Sequence, residues 1–172
     1  MRLQGVKINI NLPFIGNIEG NWEPNQAERN AAWELYVELV TRISAAELKP
    51  NEGSLREALT SLYSVFEITR SILRKYGPEI ALNSSDNNIS LAFIAISILN
   101  TVIRPFLAKW HPLLSDYENL RSDGISSLGH ENSWDRSDEL RQVLNGIRLI
   151  LIEYTDILAE ISGIPSFTSY LD

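Results

Sequence analysis

Hydrophobic positions along this chain follow two periods. Near the N-terminus Val6, Ile8, Ile10 and Leu12 alternate with Lys7, Asn9 and Asn11, the period of two of a half-buried strand. Pro13 and Gly16 mark a turn, after which residues 18–22 can return as a second strand. A two-stranded hairpin is marginal in water. It must therefore lie on the rest of the chain or pair with another chain.

Beyond residue 24 the period becomes that of a helix. The first helix is expected over residues 26–44, started by Pro24 and by Asn25 with Glu28 as a capping box. Its apolar face is Ala32, Leu35, Tyr36, Leu39, Val40 and Ile43, widened by Trp33 and Val37. The second helix has the clearest punctuation. Pro50 and Gly53 precede a Ser54–Glu57 capping box, and Leu55, Leu59, Leu62, Phe66, Thr69, Leu73 and Tyr76 repeat in threes and fours. Arg74 and Lys75 suit the negative end of the helix dipole, and Gly77-Pro78 stops it.

A polar loop, residues 82–88, leads to a third helix that begins near Ile89 and is apolar nearly all round to Ile103. That pattern predicts the most buried helix. Pro105 and Pro112 each lack an N–H and crowd the carbonyl four residues back. A kink is expected near Thr101, and a break or second kink near His111. Residues 122–136, rich in Ser and Gly, read as the longest loop, with Trp134 docking one end. The fourth helix runs from about Ser137 to Gly163-Ile164-Pro165. Its mid-helix Gly146 costs about 1 kcal/mol relative to Ala, which close approach of another helix would offset. Leu149 and Ile152 fall outside its main stripe. Phe167, Tyr170 and Leu171 give the tail reason to fold back.

The fold these elements predict is mainly all-α: an antiparallel four-helix bundle, its third helix kinked at Pro105 and Pro112, with a short N-terminal β-strand or hairpin. Residues 1–24 form the hairpin and 25–172 the helical bundle, in one domain, as the length of 172 residues allows.

Composition narrows the chemistry. The absence of cysteine excludes disulfides, iron–sulfur clusters and thiolate zinc sites, and fits a reducing compartment. Residues 1–5 lack the apolar run of a signal peptide. The apolar stretch 89–103 is shorter than the roughly 20 residues of a membrane span. A soluble, cytoplasmic protein is therefore expected. The net charge of −7, with Lys and Arg scattered among carboxylates, disfavours nucleic acid as a main partner.

Only two histidines are present, His111 and His130, and no Gly-x-Ser-x-Gly, Walker or dinucleotide-binding glycine motif occurs. Neither histidine has Glu three positions before it, which argues against a ferritin-like metal centre. His130, Glu131, Asp135 and Asp138 form an acidic cluster that could hold a divalent metal, or simply solvate a loop running into a helix N-terminus. Arg104 and His111, seven apart, share a helical face. An arginine that steadies phosphate beside a histidine general acid or base suits RNA cleavage. This spacing resembles the Arg-x4-6-His signature of HEPN ribonucleases, small α-bundles that dimerise around paired motifs, although Pro105 stands where that family often carries a polar residue. The resemblance implies metal-independent ribonuclease activity through Arg104 and His111.

The sequence reading settles on a non-enzymatic helical interaction or scaffold protein without cofactor. It would self-associate as a homodimer, or bind another helical protein, through leftover apolar surface at Leu149 and Ile152. The HEPN-like ribonuclease is one alternative. A small-molecule binder with a pocket near the kinked third helix is the other.

Overall fold

The computed structural model describes residues 5–12, 16–42, 48–49, 52–82 and 89–168. The fold is mainly helical. Helix α1 (Gln26–Arg42) is followed by α2 (Leu55–Tyr76) and a 3-10 turn, Gly77–Ala81. Then come α3 (Leu91–Ser97), a π-helical turn (Ile98–Ile103) and α4 (Arg104–Glu118), which run on as one helix, Leu91–Glu118. A short α5 (Ser127–Asn132) precedes α6 (Ser137–Ser162). Counting α3 to α4 as one, the described residues form four long helices. The N-terminal alternation forms an antiparallel hairpin, β1 (Val6–Leu12) with β2 (Gly16–Trp22), Val6 opposite Trp22. Val6, Ile8 and Trp22 are buried, and β1 lies against α6 and the π turn, the cover a lone hairpin needs.

Local signals set most helix ends. Asn25 and Glu28 make the reciprocal box: the Asn25 side chain accepts from the Glu28 N–H, and Glu28 accepts from the Asn25 N–H, both at 2.9 Å. Ser54 accepts from the Glu57 N–H, and Gly77 ends α2 at φ 65° with its N–H on the Leu73 carbonyl. Ser90 is the N-cap of α3, accepting from the Phe93 N–H at 3.2 Å.

Glu28 does more than cap. Its carboxylate is fully buried and also accepts from the Trp22 indole N–H (3.2 Å) and the Leu91 N–H (3.1 Å). One side chain thus ties the hairpin, the start of α1 and the start of α3. Burial raises its pKa above the ordinary carboxylate value; the hydrogen bonds from Asn25, Leu91 and Trp22 oppose that shift without cancelling it.

Several expectations need correction. Trp33 and Val37 do not widen the core face of α1; they are 46% and 37% exposed, because the buried stripe runs through Ala31, Ala32, Leu35, Tyr36 and Leu39. The third helix is not buried all round either: Phe93 and Ile96 stand 45% and 46% exposed on one stripe. Pro105 cannot donate to Thr101, and there the helix widens into the π turn, in which the Arg104 N–H reaches back to the Leu99 carbonyl. Pro112 does not break the helix, which continues to Glu118. Trp110 and Leu114, buried on either side, supply packing that offsets the lost hydrogen bond. With both prolines inside, Leu91–Glu118 is the one helix among the described residues long and apolar enough to cross a membrane, and 56% of its apolar window is buried within the fold. The stretch 122–136 is not a plain loop, since it contains α5, capped by Ser126. Trp134 docks as expected, stacked on Tyr117 and edge-on to Trp110. The tail returns to α1 at Phe167, whose N–H bonds the Tyr36 hydroxyl. Pro13, residues 43–44, Pro50, residues 83–88, Tyr170 and Leu171 lie outside the described residues.

Gly146 receives no close neighbour: a Cβ there would meet nothing within 4 Å. Its exposed mid-helix position carries the entropic cost of glycine with no packing return. Gly146→Ala is expected to raise stability by about 0.5–1 kcal/mol in urea denaturation.

Candidate functional site

The stripe that leaves Phe93 and Ile96 uncovered runs on along the third helix through Asn100 to Arg104, all four exposed. Arg56 on α2 bonds Ser115 and Glu118 on α4, and Arg104 approaches Phe66, so α2 and the third helix run antiparallel. Between them, at the π turn, lies an open groove of about 380 Å³. Its floor is apolar: Phe66 and Leu73 from α2, Ile96 and Leu99 from the third helix. Its rim is polar and cationic: Arg70 and Arg74 on one wall, Asn100 and Arg104 on the other.

The arginines are the unusual part. The Arg70 and Arg104 guanidiniums stand 5.3 and 5.7 Å from the centroid of the same Phe66 ring. Each cation–π contact gives about 0.5–1 kcal/mol at such partly exposed sites. Among the described residues no carboxylate pairs with Arg70, Arg74 or Arg104. Three unneutralised cations thus border one apolar trough in a protein whose net charge is −7. π turns recur at functional sites because they displace side chains from the regular helical path, and this one contributes Leu99 and Asn100 to the groove.

Of the candidates read from the sequence, Arg104 is in the groove. His111 is exposed two turns further along α4 and does not line it. Among the described residues no histidine, carboxylate or hydroxyl lines the groove. His130 and Glu131 are buried in structural roles. The His130 ring stacks on Tyr117 at 4.1 Å, with Nε2 2.7 Å from the Tyr117 carbonyl. Glu131 accepts from the Leu55 N–H (2.6 Å), the Arg56 N–H (3.2 Å) and the Ser54 hydroxyl (3.3 Å), so it closes the N-terminus of α2. Asp135 and Asp138 are exposed. Among the described residues no three His, Asp or Glu side chains are placed to hold a metal ion. Leu149 is 52% exposed on α6, with Ile152 half-buried beside it. Trp22, Trp110 and Trp134 are core residues; none of them lines the groove.

Sequence reasoning missed Phe66, Arg70, Arg74 and Asn100 as a group. One signal was there: Arg70 and Arg74 place like charges four apart on one helix face, an unfavourable arrangement unless something anionic answers it.

The chain matches no family model, no curated protein and no solved structure.

Proposed function

We propose that this is a non-enzymatic binding protein whose four long helices pack as an antiparallel four-helix bundle and whose ligand lies in the groove between α2 and the π turn. The packing of α1 on both α2 and α6, and of α2 on α4, supports the bundle. The observation that carries the function is the groove itself, an apolar floor left open beside an irregular turn under a cationic rim. Binding sites commonly combine an apolar lining with a few placed polar groups, and sites between bundle helices follow that pattern.

The test uses a neutral apolar dye, Nile red. Saturable binding at one site per chain, with a blue-shifted emission, is expected for the wild type. It should weaken about tenfold or more in Ile96→Lys, which puts a charge on the floor at an exposed position and leaves the core intact. Dye binding equal in the two proteins, or absent from both, overturns the assignment.

A further inference from the structure

We infer that the ligand of this groove is an amphiphilic organic anion, its carboxylate or phosphate head held between Arg70 and Arg104 and its apolar tail lying along Leu73, Leu99 and Ile96; this rests on the groove being a binding site. Three observations carry the class. First, two of the three rim cations converge at the Phe66 end of the groove, whereas the other end sets Leu73 and Ile96 beside Arg74 alone. Antiparallel packing sets Phe66, with its two guanidiniums, level with Arg104, whereas Leu73 lies further along α2 and Ile96 two turns back along the third helix. The exposed Phe93 extends that end by another turn.

Second, Arg70 and Arg104 converge on one ring without a counter-charge among the described residues. A head group entering between them removes their repulsion and gains charge-assisted hydrogen bonds from two planar forks. The Asn100 amide stands on the same rim to donate another. Third, the surrounding protein is acidic, so its long-range field repels anions. Selectivity for an anion must then come from contact at the arginines, and for an amphiphile from burial of its tail on the floor. A bare inorganic anion would leave that floor wet, and a neutral lipid would leave the cations unanswered.

The test displaces Nile red with decyl phosphate, decanoate, decanol and inorganic phosphate, each below its micelle concentration. Decyl phosphate or decanoate is expected to compete at least about tenfold better than decanol or inorganic phosphate, and whichever competes better identifies the head group. Arg70→Gln and Arg104→Gln should each weaken the anions about tenfold, the loss expected for one charge-assisted contact, and leave decanol unchanged. Decanol matching the anions while the dye still binds overturns the anionic class and leaves the groove as an apolar site. Inorganic phosphate matching decyl phosphate removes the tail. If the dye itself fails to bind, both this inference and the binding-site assignment fall.

Discussion

Glu28→Ala is expected to lower the unfolding free energy by roughly 3–5 kcal/mol, read as a fall in the urea midpoint at unchanged slope. The change strands three donors, the Trp22 indole N–H and the backbone N–H groups of Asn25 and Leu91, at a fully buried position. Each stranded donor costs about 1–3 kcal/mol, partly relieved where the hairpin can loosen to admit water. Glu28→Gln separates charge from shape. It keeps one acceptor oxygen, but its amide must face at least one of the same donors. The pH dependence has a definite sign. Burial raises the folded-state pKa above 4.5, so the folded protein binds the proton more tightly than the unfolded chain does. The stabilisation from protonation is complete below about pH 4.5 and is lost as pH rises through the folded value. Relative to Glu28→Gln, the wild type should therefore lose stability across that window. A difference between the two that stays flat, or grows with pH, contradicts the assignment.

Glu131→Ala should cost roughly 2–4 kcal/mol by the same measurement. Its carboxylate takes the Leu55 and Arg56 N–H groups at the start of α2, where helix donors have no intrahelical partner and the dipole favours negative charge. Ser54→Ala removes only a single hydroxyl cap and is expected to cost about 1 kcal/mol. If the two variants lose the same amount, Glu131 is not the principal cap.

These two carboxylates show where a sequence can and cannot be read. Glu28 sits three residues after Asn25, so its capping role is visible as a local pattern. Its links to Trp22 and to Leu91, 63 residues away, are not visible. Glu131 serves a helix start 76 residues earlier and looks, in sequence, like part of an acidic loop. The hairpin and the Gly77-Pro78 stop were legible for the same reason as the Asn25 box: their signals span a few residues. Pro112 was misread because the sequence shows its missing N–H but not the packing of Trp110 and Leu114 around it. The groove was legible only as a locus. The prolines pointed to irregular geometry in the third helix, whereas the pairing of Arg70 with Arg104 across Phe66 needs two helices brought side by side.

The π turn also explains how one rod can keep its oily edge inward from Leu91 to Leu114. From Ile98 one row of buried positions recurs every fourth residue, at Val102, Phe106, Trp110 and Leu114, flanked by a second row at Leu99, Ile103 and Leu107. In a regular helix each such step drifts about 40° beyond a full circle, since successive residues turn by about 100°. Four steps would carry the edge from the core round towards the solvent. A wide turn holds roughly one residue more than an ordinary one, and so rewinds most of that drift in a single place. Ile98–Ile103 thus acts as a phase corrector between the two α-helical halves of the rod.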